Sequence, residues 1–482
     1  AADVAERAFE PERVTAKDVR AKAAGEGGNL GWTQAGRIEY ARNGGRINTD
    51  FIDNSAGVDT SDHEVNIKIL LDAEVAAGRI SEQERDELLP AMADDVASLV
   101  LRHNHSQNLA LANALSSDGP TAGVLEAWMC ELEESGHLDR AVDTMPSTTE
   151  MNRRMAAGER LASPELCTLL AWTKIALCDA VLATDLPEDP FVADRLVGYF
   201  PPLLRERFTE RMPTHRLHRE IITTEAVNRF VDSQGITAYY RLHLQTGADI
   251  AQVIRCQLAA RSVFGLGRVE TDLTHLGLDA VRTAKIRLAL TDLAMHTTRW
   301  FLNHGGADDI AGTIETYRPG VATLVEKLSE RLLGDSADAW QEKVDEVTEL
   351  GLDRSDAAVV AAYDWSPVLL SIVEISEEGH SLDEVADAYL TLARRVDMIR
   401  LTRLVEQLPQ DRPTDARVRA SLREDLLRVM SDATRRALVI GTDNVLADGG
   451  RIVKSIAANP DLAHCVVMVS DLRSAVGQEV TL

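Results

Sequence analysis

Two short segments carry residue types that could do chemistry. The first, Gly25-Glu26-Gly27-Gly28-Asn29-Leu30-Gly31, holds four glycines in seven positions. Glycines that follow a strand let backbone come close to a ligand, as at a phosphate or a ribose. The spacing is not the G-x-G-x-x-G dinucleotide fingerprint, because Leu30 stands where its last glycine would fall. Taken alone the segment is more often a tight turn. The second, Asp53-Asn54-Ser55-Ala56-Gly57-Val58-Asp59-Thr60-Ser61-Asp62-His63-Glu64, reads as a strand end, a small-residue loop and a helix start. Ser61 with Glu64 has capping-box spacing and predicts a helix from Asp62 to Leu71. A helix N-terminus presents free N–H groups and a positive dipole end, a place for a carboxylate. The plain alternative is that Ser61 caps and Asn54 bonds local backbone.

Other candidates weigh less. His103 and His105 lie two apart, and His215 and His218 three apart, with no acidic or histidine partner nearby in sequence, so no metal site is assigned. Arg205, Arg207, Arg216 and Arg219 form a basic patch in an acidic chain and read as ion-pair partners. Trp300 reads as a packing anchor. The five cysteines show no C-x-x-C, and Cys167, Cys178 and Cys256 fall in apolar helical patterns, as reduced core residues of a cytoplasmic protein would.

The elements that must position these residues differ along the chain. Val19 to Ala24 and Arg46 to Ile52 read as strands, with a helix Thr33 to Asn43 between them, the grammar of an α/β layer. From about residue 80 the pattern is helical. Gly78 is a helix stop, Ser81-Glu82-Gln83-Glu84 opens a helix toward His103, and Ser163-Pro164 opens another. Amphipathic runs follow over 247–264, 279–303, 319–333, 337–350, 366–395 and 415–438, with Gly235 to Tyr240 read as a connector. Only 4% of residues are aromatic, which suits helices packed by short side chains. The net charge of -26 disfavours nucleic acid or a membrane surface as main partner. No apolar stretch reaches the roughly 18 residues of a membrane span. The start at Ala1, with no apolar h-region behind it, argues against a signal peptide and suggests a C-terminal fragment.

The two motifs together resemble the glutamate dehydrogenases, which carry an E-G-A-N segment and then N-A-G-G-V-x-V-S-x-x-E near the end of the NAD domain. Here Glu26-Gly27-Gly28-Asn29 has Gly28 in place of the alanine, and Ser55-Ala56 follow Asn54. Gly44-Gly45-Arg46-Ile47-Asn48-Thr49-Asp50, Asp59 to Lys68, Phe200-Pro201, Leu204 to Phe208, Arg219-Glu220-Ile221-Ile222 and Gly235-Ile236-Thr237 resemble the very large bacterial NAD-specific branch. The resemblance implies NAD as cofactor and L-glutamate/2-oxoglutarate as substrate pair. It implies that Gly27, Gly28, Asn29 and Asn54 bind the cofactor and that Ser61 holds the substrate's side-chain carboxylate. It also implies a fold: mainly α, with a partial Rossmann-like α/β segment at the N-terminus followed by a long all-α region. The expected divisions are 1–78 as the end of the NAD-binding catalytic domain, 79–310 as a helical domain and 311–482 as a C-terminal helical domain. None of the eight lysines (Lys17, Lys22, Lys68, Lys174, Lys285, Lys327, Lys343, Lys454) sits in the glycine-rich context of the family's catalytic lysines, so no catalytic residue is assigned. The chain is expected to be inactive without the remainder of its own polypeptide, and to assemble as a homo-oligomer. The rival reading is a non-catalytic helical interaction module whose glycine loops are merely turns.

Overall fold

A computed structural model describes residues 15–29, 31–116, 121–408, 413–447 and 461–477. Among the described residues there is no strand, so the expected Rossmann-like α/β segment is absent and the chain is mainly α. The two expected strands reduce to one isolated parallel bridge, Ala23 to Arg46. It rests on two bonds: Arg46 N donates to Lys22 O at 3.0 Å and Ala24 N to Arg46 O at 2.9 Å. A lone pair of strands is marginal without neighbours on either side. The second segment also leaves extended geometry early, because Asp50–Asp53 forms a short helix, α2, after Thr49.

The chain divides into two compact units, residues 1–239 and 240–482. In the first, α1 (Gln34–Arg42) is capped by the Thr33 hydroxyl, which accepts from Gly36 N. Its Tyr40 packs with Ala16 and Ile47 in a small core and donates to Ala21 O at 2.6 Å. The turn after it needs Gly45: a Cβ there would lie 2.2 Å from the Tyr40 ring. Then come α3 (Ser55–Ala76), α4 (Glu82–Ala91) and α5 (Ala93–Leu115). Gly78 ends α3 at φ +68 and the Ser81 hydroxyl caps α4, as expected. The helix expected to run on to His103 breaks at Met92, just after Pro90, and resumes as α5.

After α6 (Ala122–Glu134) and α7 (Thr148–Ala156), α8 (Ser163–Leu182) begins at its expected cap, so that the cap lies one residue earlier than expected. Ala162 is the N-cap, the Glu165 carboxylate takes its N–H at 2.7 Å, and Ser163 instead donates to Asn48 Oδ1 at 2.8 Å. Short helices α9 (Pro190–Ala193), α10 (Arg195–Tyr199) and α11 (Pro202–Phe208) lead to α12 (His218–Gln234). The buried faces of α3, α5, α8 and α12 pack on one another and form this unit's centre. Gly235, at φ +96, ends α12, and helix resumes at once as α13 (Ala238–Thr246), so the expected connector is three residues long.

In the second unit α14 (Ile250–Val263) is buried on almost every face and packs on α16 (Ala280–Asn303) and α17 (Ile310–Arg331). Helix α15 (Leu266–His275) lies between α14 and α16 in sequence; α18 (Asp335–Leu350) and α19 (Arg354–Ala361) follow α17. The expected run 366–395 is two helices, α20 (Ser366–Ser376) and α21 (Leu382–Arg395), parted at Gly379. After α22 (Met398–Glu406), the long α23 (Pro413–Ile440) packs on α20, α21 and α24 (Leu462–Gly477). Trp300 is 2% exposed and donates to Ser371 Oγ at 3.2 Å, the packing anchor expected. No single helix among the described residues is long and apolar enough to cross a membrane.

Candidate functional site

The two motifs meet at one corner of the first unit. Asp53 closes α2, and its carboxylate holds both sides of that corner. Oδ2 accepts from Glu26 N at 3.1 Å, and Oδ1 accepts from Asn48 Nδ2 at 3.1 Å. Asn48 reaches on to Asn108 Oδ1 (2.9 Å), and Asn104 donates to Ile52 O (2.9 Å) and Ser55 Oγ (2.8 Å), tying the corner to α5. Below the glycine loop, Glu26 is buried against Arg37 at 2.5 Å, with Asp50 on the same guanidinium at 3.3 Å. Between these walls lies a cleft of about 590 Å3 lined by Ala24, Gly25, Gly27, Asn48, Asp53 and Asn104.

Of the residues expected to bind a cofactor, Asn29 and Asn54 are brought together: Asn54 Nδ2 donates to Asn29 Oδ1 at 2.8 Å. Asn54 is the N-cap residue of α3, yet its side chain makes no capping bond. Gly57 allows this arrangement, since a Cβ there would stand 2.8 Å from the Asn54 amide. Gly27 and Gly28 are exposed, with nothing within 4 Å of a notional Cβ, so crowding by the protein does not explain them. Open space over bare backbone, the exposed amide of Asn29 and the N-terminal dipole end of α3 fit a nucleotide or carboxylate ligand.

Ser61 is a correction. Helix α3 starts at Ser55, so Ser61 sits in its second turn, exposed, donating to Val58 O at 2.8 Å. It caps nothing, and the dipole end falls at Asn54 to Gly57 instead. The expected helix start failed because Gly57 and Ser55 were read as loop, although neither prevents a helix from running through. What Ser61 does share is an exposed face with Val58 (71% exposed) and Val65 (53%), one and two turns of α3.

The remaining candidates resolve plainly. Arg207 pairs with Glu84 and Arg219 with Glu188, as the ion-pair reading expects, while Arg205 donates to the carbonyls of Phe200 and Gly198. His215 bonds Asn66 O at 3.0 Å and His218 bonds His215 O at 2.9 Å, so that pair converges on backbone. Burial pushes the thiols of Cys167 and Cys256 up to about 12 and that of Cys178 to about 11, which leaves them poor nucleophiles. Lys174 pairs with Asp232 at 2.8 Å between α8 and α12.

One constellation was not expected. Asp59, His63 and Asn66 recur at one face of α3, and His103 of α5 joins them: its Nδ1 lies 2.9 Å from Asp59 Oδ2. Tyr199 stacks on His63 at 4.3 Å, donates to Asp62 Oδ2 (2.8 Å) and accepts from Asn66 (2.8 Å). The i, i+4, i+7 spacing of Asp59, His63 and Asn66 was a usable signal. His103 was weighed only against His105, its neighbour in sequence, which points elsewhere on a helix.

Residues 1–114 match the family profile described as "Bacterial NAD-glutamate dehydrogenase, catalytic domain", and residues 158–479 match "Glutamate dehydrogenase, C-terminal". The chain belongs to the bacterial NAD-glutamate dehydrogenase family. Among similar proteins of this family, the NAD-specific glutamate dehydrogenase of Mycobacterium tuberculosis is 37% identical over 442 residues, 91% of this chain and 27% of the relative. That of Pseudomonas aeruginosa is 35% identical over 493 residues, 100% of this chain and 30% of the relative. The chain therefore spans less than a third of the length of these glutamate dehydrogenases. The profile for the catalytic domain covers both glycine-cleft motifs and all but the last residue of α5, whose asparagines brace the cleft.

Proposed function

We propose that this chain supplies one wall of the active site of an NAD-dependent glutamate dehydrogenase, which converts L-glutamate, NAD+ and water to 2-oxoglutarate, ammonium, NADH and a proton. The observation that carries this reading is the Asn29–Asn54 bond, which joins both family motifs, each next in sequence to residues that line the glycine cleft or bond to them. NAD supplies the hydride acceptor when bound. Gly27 and Gly28 give it access to backbone, and Asn29 and Asn54 hold and orient it by their amides. Ser61, on the exposed face of α3, hydrogen-bonds the distal carboxylate of the substrate.

Among the described residues no lysine lines the cleft: Lys68 pairs with Glu64, and Lys174 with Asp232. Proton handling then falls to the remainder of the polypeptide, and this chain alone turns over no glutamate. In this reading residues 1–78 are the catalytic-domain portion. The helical portions 79–310 and 311–482 serve assembly of a homo-oligomer and its regulation in the cytoplasm.

The test is steady-state kinetics of the full-length enzyme carrying Asn54→Ala. Loss of hydrogen bonds to the cofactor should lower kcat/KM for NAD+ by about ten-fold or more. Ser61→Ala should instead raise KM for glutamate while leaving KM for NAD+ alone. Unchanged kinetics in both variants would discard the assignment and favour a helical interaction module.

A further inference from the structure

His63 is fully buried, and neither ring nitrogen has a hydrogen-bond partner. A neutral imidazole carries one N–H and one lone pair, and leaving both unmet in a protein interior is costly. Tyr199 covers one face of the ring, and the ring of His103 lies 5.7 Å away at 22°. Asp59 Oδ1 lies 3.7 Å from Nε2, outside hydrogen-bond range. The other Asp59 oxygen meets His103 Nδ1 at 2.9 Å. One ligand atom from each of Asp59, His63 and His103 falls within 4.8 Å of the other two.

A tetrahedral ion would hold such atoms inside that limit. Bonds of roughly 2.0–2.2 Å from zinc to imidazole nitrogen and carboxylate oxygen put neighbouring ligand atoms a little over 3 Å apart. The distances here, 2.9 and 3.7 Å, straddle that value. We propose that Asp59, His63 and His103 form a zinc-type divalent metal site on α3 and α5, with the fourth position left to water. The donor set, two imidazoles and a carboxylate, is one that zinc and its first-row neighbours take in preference to magnesium or calcium.

The surroundings support it. Glu225, on α12, lies 3.8 Å from His103 Nε2, on the far side of the ring from Asp59. At 3.8 Å Glu225 makes no hydrogen bond, but its position beyond Nε2 favours the tautomer with the proton on that side and leaves the Nδ1 lone pair facing the ion. Burial holds His63 below its ordinary pKa, in the neutral form that binds metal. For His103 burial acts downward too, but Asp59 and Glu225 outweigh it and raise the pKa, so protons compete with metal there. Asp59, Asp62 and Glu225 stand against the guanidiniums of Arg102 and Arg195, and burial raises the Glu225 pKa. The site sits two turns from the α3 N-terminus, and an ion there would lock α3 to α5 behind the Asn54 corner.

The test is metal titration of the untagged full-length protein after chelator treatment, with Co2+ as the spectroscopic probe and Zn2+ followed by calorimetry. The expected result is one ion per chain, with tetrahedral cobalt bands displaced by zinc. His103→Ala, at a side chain 27% exposed and so tolerant of change, should weaken binding at least 100-fold, and Glu225→Gln by about 10-fold. Zn2+ should also raise Tm in the native protein and in Glu225→Gln but not in His103→Ala. Absent cobalt bands, or equal affinity in the native protein and a folded His103→Ala variant, would overturn the site. If His103→Ala does not fold, the same comparison is made with Asp59→Asn.

Discussion

A single buried cation decides more about the glycine cleft than the glycines do. The Arg37 guanidinium is 7% exposed and faces two carboxylates, Glu26 at 4% and Asp50 at 13%. Truncating one partner of such a group strands the others as buried charges, which costs about 3–5 kcal/mol. Arg37→Met should therefore lower the urea-derived stability by about 3 kcal/mol and loosen the Glu26–Asn29 loop, while Arg153→Ala, at an exposed pair with Glu150, should leave the urea midpoint almost unmoved. A second residue sets a pH dependence. In the second unit His304 Nδ1 meets Glu374 at 2.9 Å and Nε2 lies 3.3 Å from Glu424, and although burial opposes the charge, the two carboxylates push its pKa from 6.5 up to about 9. A raised folded pKa stabilises fully below 6.5 and loses that contribution as pH climbs through 9. The side chain is 13% exposed, and the shift corresponds to ~3 kcal/mol at most. Stability measured by denaturant at pH 6 and at pH 9.5 should fall by about 2–3 kcal/mol. In His304→Gln that fall should be absent; an unchanged slope would place the effect elsewhere.

Helices were legible from the sequence at some caps and stops. Gly78 and Ser81 stand at helix ends as read, because each meets a local backbone need. Elements that depend on non-local partners were not. Arg46 to Ile52 has strand-forming residues but only one bridge to pair with, and Ser61 with Glu64 has capping-box spacing although the helix had already begun at Ser55. The Asn29 and Asn54 pairing was anticipated as two ligand positions; that they bond each other follows from the Asp53 corner, which no periodicity encodes. His63 and His103 were missed because their convergence depends on how α3 crosses α5. Gly320 shows the same limit at a packing contact. On α17 it reads as a helix-weakening residue beside Pro319, yet a Cβ there would lie 2.7 Å from Val373 Cγ2 on α20. Gly320→Ala gains helix propensity of about 1 kcal/mol. It must also push apart two packed helices, an overpacking cost of typically 1–3 kcal/mol. The clash should win, and a Tm drop of a few degrees in calorimetry would show it; a raised Tm would mean that α17 and α20 separate freely.

At the scale of the whole chain, charge is the dominant collective term. A net charge of -26 makes the folded state repel itself, and no single pair compensates that field. Many close ion pairs on the helices act the other way, among them Glu64–Lys68, Glu150–Arg153 and Glu346–Lys343. Each exposed pair contributes about 0–1 kcal/mol and is itself weakened by salt. Raising ionic strength therefore has two effects of opposite sign. Screening reaches furthest for the diffuse excess: the Debye length shrinks from about 30 Å at 0.01 M to about 3 Å at 1 M, whereas contact pairs lie well inside either length. Repulsion should be lost first. Near neutral pH, Tm should rise by several degrees as NaCl goes from about 0.01 M to about 0.5 M, most of it below about 0.1 M. The control is pH. The sequence pI is about 4.9, so near pH 5 the net charge approaches zero and nothing remains to screen except the pairs. The salt dependence should there flatten or change sign. A Tm that rises equally with NaCl at pH 7 and pH 5 would refute self-repulsion, because an effect indifferent to net charge belongs to apolar burial instead.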